Sequence, residues 1–200
     1  MIRNGSTTMN KIRTILVALA LALMFVFTTY AHAKPQDLHF PFSPQSSNYW
    51  QYISDRTMGG VSNGKVTLGR ENAVDFIRLT GQVSTQNNGG FIQLRAGISF
   101  ANTQVQGQSI SGARLTARGN GEVYHVFIRT KDTKSYSDYY YATFTASKDW
   151  QIIDLPFKDF KRSRSNGSAL LAQDITRFAI VGYGRDFEAD VSVSNITFYY

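Results

Sequence analysis

The pattern closest to a catalytic motif is a serine flanked by glycines. Gly60-Val61-Ser62-Asn63-Gly64 matches G-x-S-x-G, the bend that exposes a nucleophilic serine between a strand and a helix in α/β-hydrolases. The next residues, Lys65-Val66-Thr67-Leu68, are typical of a strand instead of a helix. After removal of an N-terminal leader only His39 and His125 could act as a base, and His125 lies in an alternating apolar segment. We therefore expect a non-enzymatic protein, and a hydrolase built on Ser62 is the third alternative.

Motifs for metals and cofactors are missing from the sequence. The chain has no cysteine, no H-E-x-x-H and no EF-hand loop. Asp55, Asp138, Asp190 and Asn195 offer oxygen atoms that a calcium ion accepts, but such residues are more common at turns and strand ends. We expect no cofactor, and the sequence leaves a structural calcium ion open.

A run of tyrosines is the second pattern with a chemical meaning. Tyr136, Tyr139, Tyr140 and Tyr141 lie close together, and Arg129 precedes them. Consecutive strand residues point to opposite faces, so at least one ring is expected to face outward. Exposed tyrosine beside arginine can stack on a sugar or hold a partner peptide, whereas the alternative is plain packing at a sheet margin. Arg129, Tyr136, Tyr139 and Tyr140 are therefore our candidates for an exposed binding face.

The first 33 residues have the three parts of an export signal. Basic residues come first, residues 15–27 are continuously apolar, and Ala31-His32-Ala33 places small residues where a signal peptidase reads. The apolar run is shorter than the ~20 residues that a membrane-spanning helix needs. We predict a signal peptide cleaved after Ala33 and an exported, periplasmic or secreted protein. An uncleaved leader would instead anchor the protein in the inner membrane, and Met9 is an alternative start.

The formal charge of +7 belongs partly to this leader. Residues 1–33 hold three basic and no acidic residues, so the remaining chain carries +4. Its basic cluster consists of Lys158, Lys161, Arg162 and Arg164. We expect this cluster on a solvated loop, whereas nucleic-acid binding needs a basic face with interleaved aromatic rings. We expect no nucleic-acid partner. No motif for oligomerisation is present, so the expected state is a monomer.

From Phe40 onward, short alternating segments are separated by glycine-containing turns, and 42% of the chain is hydrophobic, enough for a core. Apolar residues recur with a period of two in segments that begin at Ile77, Ile92, Tyr124, Tyr140 and Phe187. A slip in this period at Ser194-Asn195 predicts a β-bulge. Gly119-Asn120-Gly121 is interpreted as a hairpin turn. About nine or ten strands without helical periodicity predict an all-β fold, a single antiparallel β-sandwich over residues 40–200 that follows a short segment at 34–39.

Six blocks of residues occur in the order shown by one known family. The first is Trp50 followed by Asp55-Arg56-Thr57-Met58-Gly59-Gly60-Val61-Ser62-Asn63-Gly64. The others are Leu79–Ser84, Asn88–Phe91, Leu115–Tyr124, Tyr141–Phe144 with Trp150, and Leu155–Phe160. Together they resemble the complex I intermediate-associated protein 30 domain, whose opening is W-x(4)-D-x-x-MGG-x-S-x-G. Asn120 stands where that family more often has Asp.

The resemblance implies a galactose-binding-like jelly roll and a non-enzymatic domain. Mitochondrial members of the family are assembly factors that bind unfolded or partly assembled subunits of respiratory complex I. The predicted export signal differs from a mitochondrial transit peptide, so this chain would act elsewhere. Our leading hypothesis is an exported assembly factor or chaperone-like protein with a protein partner. The alternative is a carbohydrate-binding module of the cell envelope, because such modules share the sandwich.

The loop that opens this pattern has two interpretations. In the first it is structural: Asp55 bonds exposed amides of the turn, and Trp50 and Met58 fill the core beneath. In the second it forms the rim of a ligand or partner site. The candidate residues of that rim are Asp55, Met58, Gly59, Gly60 and Ser62.

Overall fold

The computed structural model describes residues 36–41, 49–100, 109–164 and 169–200. The predicted signal peptide and its cleavage site lie outside the described residues. Across the described ranges, no helix is long and apolar enough to cross a membrane. These ranges contain twelve strands: β1 (Leu38–Pro41), β2 (Trp50–Ser54), β3 (Asn63–Glu71), β4 (Val74–Val83), β5 (Phe91–Gly97), β6 (Gly112–Gly119), β7 (Val123–Thr130), β8 (Tyr140–Thr145), β9 (Gln151–Pro156), β10 (Lys161–Arg162), β11 (Ile175–Tyr183) and β12 (Phe187–Tyr199).

The strands form two antiparallel sheets with one core between them. The first sheet has the order β3-β4-β12-β6-β9, and β1 pairs with the second half of β12. The second sheet has the order β10-β8-β7-β11-β5-β2. Phe198, near the centre of the core, contacts the rings of Phe40, Phe100 and Phe178. The predicted all-β sandwich is confirmed, and it includes two short strands, β1 and β10, that are not among the alternating segments named above.

The period-two pattern places the inner side chains correctly. Tyr124 and Ile128 of β7, for example, are fully buried in the core. His125 and Phe127, which lie between them in the sequence, face outward and are only partly buried. The predicted bulge is present, because the pairing of β12 with β6 shifts between Val193 and Asn195. This shift lets both halves of β12 send apolar side chains into the same core.

The turn Gly119-Asn120-Gly121 crosses from β6 in the first sheet to β7 in the second. Our interpretation of it as a hairpin turn is therefore wrong. A glycine-rich turn indicates that the chain changes direction, but it does not specify which strand becomes the next partner. Asn120 fixes the crossing: its side-chain amide donates to the Glu188 carbonyl at 2.7 Å, and its side-chain oxygen accepts the Tyr124 hydroxyl at 2.8 Å.

The Tyr124 hydroxyl also accepts the backbone N–H of Asp190 at 2.7 Å, and burial raises the pKa of this phenol to about 12. We expect Tyr124→Phe to lower the free energy of unfolding by about 1–3 kcal/mol, because Asn120 and the Asp190 amide both lose a partner. Urea denaturation measures the change. Tyr136→Phe is the matched control, since this ring is 85% exposed. Equal losses in the two variants would contradict a bridging role for Tyr124.

Candidate binding face

The loop with two interpretations contains the 3₁₀ turn Asp55–Met58 and the residues up to β3. Asp55 and Ser62 are fully buried, and both the hydroxyl and the backbone N–H of Ser62 donate to the Asp55 carboxylate. One oxygen of that carboxylate also accepts the N–H groups of Gly90 at 2.6 Å and Phe91 at 3.1 Å. Asp55 therefore joins the segment after β2 to the segment that enters β5.

The surroundings of Asp55 favour its charged form. Burial acts to raise the pKa of the carboxyl, but the hydrogen bonds from Gly90, Ser62 and Phe91 together outweigh it and hold the pKa below its usual value. A Cβ at Gly60 or Gly89 would lie 2.4 or 2.5 Å from atoms of this carboxylate. These contacts support the structural interpretation for Asp55, Gly60 and Ser62.

Met58 and Gly59 lie on the outer side of the loop. The Met58 side chain is 59% exposed, so our expectation that it fills the core is wrong, whereas Trp50 does pack against the core. Gly59 ends the 3₁₀ turn with φ at +90°, a conformation that favours glycine. Met58 is thus one of the loop side chains that a partner could touch, and its role in a rim stays a prediction.

The position of Ser62 does not fit that of a nucleophile. Its hydroxyl is buried, donates to Asp55 and accepts the Ser84 N–H at 2.9 Å. The next residue, Asn63, begins β3 and not a helix. A nucleophile elbow requires the opposite arrangement, a serine hydroxyl exposed at a strand-to-helix bend.

The tyrosine run divides between the two faces of the second sheet. Tyr140 is 2% exposed and belongs to the core, so our prediction that it lies on an exposed binding face is wrong. The physical reason is the period of the strand: with Tyr140 inward, its neighbours Tyr139 and Tyr141 point outward. Tyr136 lies in the segment before β8, and the Arg129 guanidinium lies 5.8 Å from the centre of its exposed ring.

Arg162 holds the segment before β8 in place. Its guanidinium pairs with Asp138 at 2.8 Å and Asp132 at 2.6 Å, and it lies over the Tyr140 ring. The pKa of both carboxyls is lowered: a hydrogen bond from Arg162 is the main cause for Asp138, and one from Thr130 for Asp132. Arg162 is therefore a neutralised part of the structure, although the sequence places it in a basic cluster.

The outer side of the second sheet carries a cluster of rings that we call the aromatic face: His125, Phe127, Tyr139, Tyr141 and Tyr183. The rings of Phe127 and Tyr139 stack with their centroids 4.1 Å apart. Tyr183 meets His125 and Phe127 edge-on, and its hydroxyl accepts that of Tyr139 at 3.2 Å. Burial lowers the pKa of His125, and Arg185 adds to this effect, so both favour the neutral imidazole. All five side chains keep part of their surface open to solvent.

The rings also cover two small apolar residues of β11. Ala179 and Val181 face outward beside Phe127 and His125, yet they are only 3% and 0% exposed. Tyr183 follows at the end of the same strand, and our sequence candidates did not include it. The alternation of β11, with Phe178 and Ile180 in the core, is the signal that places Tyr183 on the outer side.

A pocket of about 310 Å³ opens beside the aromatic face, at the end of β7 and the start of β11. Its wall includes the cationic side chains of Arg129, Lys134 and Arg177 and the ring of Tyr136. Arg129 and Tyr136 are therefore brought together as the sequence predicts. Lys134 and Arg177 are additional residues of this site.

In the described ranges, no three His, Asp or Glu side chains are placed to hold a metal ion together. Three of the four residues considered for calcium use their carboxylate oxygens in contacts within the protein, and the contact of Asn195 is made by its side-chain N–H. Asp55 accepts loop amides, Asp138 pairs with Arg162, and Asp190 pairs with Arg78. Asn195 donates to Thr197 at 2.8 Å.

In sequence, the chain matches one family of known proteins. The sequence model of the complex I intermediate-associated protein 30 family covers residues 40–189. Among curated proteins, none matches the chain.

In structure, the chain is similar to carbohydrate-binding modules. The family 11 module of a cellulosomal cellulase of Clostridium thermocellum aligns with a TM-score of 0.65 and 11% identity over 84% of this chain and 96% of that chain. A family 11 module from Clostridium thermocellum in complex with a β-1,3-1,4-mixed-linked tetrasaccharide gives 0.62 and 11% over 80% and 95%. A family 30 module of another cellulosomal cellulase of that organism gives 0.53 and 16% over 82% and 96%. At these identities, the likeness shows a shared fold alone.

Proposed function

The chain belongs to the complex I intermediate-associated protein 30 family, and from this premise we propose that it is a non-enzymatic binding domain whose aromatic face takes an extended glycan. The observation that carries the proposal is the aromatic face itself, a set of partly exposed rings in the middle of a sheet. Rings with an apolar body and a polar tip are suited to a ligand with apolar faces and hydroxyl edges, such as a sugar.

The register of the second sheet arranges this surface as a line. Lys161, Tyr141, Phe127, Ala179 and Arg95 are successive partners on neighbouring strands, and Gln51 of β2 completes the row. At ~4.8 Å between strands, the six positions span about 24 Å. A straight row of ring, amide and cationic side chains of this length suits a chain-like ligand that lies across the strands. The tetrasaccharide complex of the similar family 11 module supports a glycan as that chain.

The composition of the face favours binding over catalysis. Hydrolysis of a glycosidic bond generally uses a pair of carboxyl groups that flank the bond. On the described strands of the second sheet, the outward positions carry no Asp or Glu. This supports a domain that holds a glycan without cleaving it.

A protein partner is the second candidate. The family takes its description from a protein that is associated with a complex I intermediate, and this association favours a role in assembly. The exposed Met58 and Tyr136 would be natural contacts for such a partner.

We also propose that the protein is exported, and sequencing of its mature N-terminus tests cleavage after Ala33.

The test of glycan binding is a glycan array followed by calorimetry on the purified protein. We expect Tyr183→Ala to raise the Kd by about 10-fold or more, because it removes a partly exposed ring that contacts His125, Phe127 and Tyr139. Tyr199→Ala is the matched control, since Tyr199 lies on the first sheet beside Arg114. No saturable glycan binding, or equal binding by both variants, would refute the proposal. Recurrent crosslinking to the same envelope proteins, lost in Met58→Glu, would then favour the second candidate.

A further inference from the structure

Three arginines meet on the outer side of the second sheet. Arg129 of β7 and Arg177 of β11 are directly paired across the two strands. Arg177 is in turn opposite Gly97 of β5, and Arg95 lies two residues before Gly97, on the same side. We call Arg95, Arg129 and Arg177 the arginine trio. Like charges directly opposite each other destabilise a sheet, so folding gains nothing from this arrangement.

Apart from the exposed Arg56 and Arg164, the other arginines of the described chain are neutralised. Arg78, Arg114 and Arg118 on the first sheet pair with Asp190, Asp154 and Glu71, and Arg162 on the second sheet has two aspartate partners. In contrast, no described carboxylate lies within ion-pair distance of any member of the trio. Arg129 donates only to the carbonyl of Ser135. The trio thus has fork-shaped donors without an anionic partner.

The electrostatics agree with this picture. The pKa of Arg95 is lowered by burial first and then by the charges of Arg177 and Arg129. The pKa of Arg129 is lowered by burial and by Arg177, and only partly restored by Asp138. Both groups stay charged at neutral pH, since an arginine pKa begins above 12. The field of this region is therefore positive, with Asp138 as a partial counter-charge to Arg129.

The pocket beside the aromatic face has the same character. Its wall is formed by Arg129, Arg177 and Lys134, by three threonines and by Tyr136, and it includes no acidic side chain. The threonine hydroxyls at 130, 133 and 176 are already bonded within the protein. The cations keep further N–H groups for a ligand beyond the single carbonyl that Arg129 and Lys134 each contact, and the exposed Tyr136 lies beside them. A volume of about 310 Å³ lies at the lower end of the range for small-ligand sites (~300–1,000 Å³).

We infer that the glycan of the proposed function is acidic, a uronate-type polysaccharide with one carboxylate in the pocket at Arg129 and Arg177 and another beside it at Arg95. A guanidinium binds a carboxylate through two parallel hydrogen bonds, and it is the side chain suited to that geometry. The inference rests on the proposed function, because the neighbouring sugars of the chain would lie on the aromatic face. An acidic peptide fits less well, since peptides that add to a sheet need a free edge, and here the cations lie on paired inner strands.

The experiment compares oligogalacturonate with its methyl ester, which has the same backbone without the charge. We expect wild-type protein to bind the acid at least about 10-fold more tightly than the ester, and its Kd to rise with salt. Arg177→Gln and Arg129→Gln should each remove most of this preference without lowering the Tm. The matched control is Arg70→Gln, which removes one charge from the exposed Arg70–Asp75 pair on the first sheet.

Gly97→Glu provides a second variant that keeps all three arginines. A Cβ at Gly97 meets no atom closer than the Thr176 carbonyl at 4.0 Å, so the side chain has space beside Arg177. We expect the new carboxylate to compete with the acidic glycan for the arginines and to raise the Kd for that glycan about 10-fold. Gly97→Gln should leave this Kd nearly unchanged.

The outcomes separate this inference from the proposed function. If acid and ester bind equally and Tyr183→Ala weakens both, the inference that the glycan is acidic would be wrong. The proposal that the aromatic face binds a glycan would still hold. Absence of binding to any glycan would overturn both. Tighter binding of polyglutamate than of oligogalacturonate, lost in Arg177→Gln, would overturn the glycan and assign the trio to an acidic peptide.

Discussion

Asp55→Ala is expected to lower the free energy of unfolding by about 3–5 kcal/mol. The carboxylate is fully buried and accepts the N–H groups of Ser62, Gly90 and Phe91 as well as the Ser62 hydroxyl. Its removal leaves buried donors without a partner, and each of these costs about 1–3 kcal/mol. For a domain of this size the loss corresponds to a Tm lower by roughly 6–20 °C, which calorimetry measures.

The control for Asp55→Ala is Asp154→Ala. Asp154 is about half exposed and pairs with Arg114 on the surface, so its loss should cost at most about 1 kcal/mol. An Asp55→Ala protein with an unchanged Tm but lost binding would instead support the loop as a rim. If binding persists while the Tm drops, the loop is structural.

The same carboxylate predicts a pH dependence. The folded-state pKa of Asp55 is lowered, because the hydrogen bonds to its charged form outweigh the effect of burial. Its contribution to stability is therefore complete above the ordinary carboxyl pKa, and it is lost as the pH falls through the lowered folded-state value. The stability gap between wild type and Asp55→Ala should narrow over that acidic range.

The inner side of each sheet can be predicted from the sequence. A strand with one buried face must alternate, so the positions of Ile77, Ile92 and Phe187 follow from period two, and all three are buried. The bulge at Ser194-Asn195 is visible for the same reason, because the period slips there. The partners of a strand have no such signal, which is why the crossing at Gly119–Gly121 resembles a hairpin in the sequence.

The binding site can be predicted only where its residues are close in the chain. Arg129, Tyr136 and Tyr139 lie within one short segment, so a local search finds them. Arg95 and Arg177 lie far from it and reach Arg129 only through the pairing of β5, β11 and β7. The role of Asp55 is hidden in another way, because most of its partners are backbone amides, which every residue type except proline supplies.

The close approach of β3 and β4 explains why position 81 is a glycine, which the alternation of inward and outward side chains does not explain. Gly64 and Gly81 are direct partners in this pair, and Gly81 has φ at +154°. A Cβ at Gly81 would lie 2.2 Å from the Asn63 carbonyl oxygen and 2.4 Å from the Gly64 Cα. These are backbone atoms, so no side-chain rotation can relieve the contact, and β3 must move away from β4.

Gly81→Ala is therefore expected to lower the free energy of unfolding by about 3–5 kcal/mol, the combined cost of the unfavourable φ and of the displaced strand. Urea denaturation gives the total, and hydrogen exchange should show the loss of protection concentrated in β3. Gly97→Ala is the matched control, since its Cβ has space and its φ lies outside the left-handed region. That variant should be neutral or more stable by up to about 1 kcal/mol.

Because Ser62 immediately precedes β3, displacement of the strand should also weaken the Asp55–Ser62 hydrogen bonds. Gly81→Ala combined with Asp55→Ala should then cost less than the sum of the two single changes, and full additivity would mean that loop and strand are energetically independent.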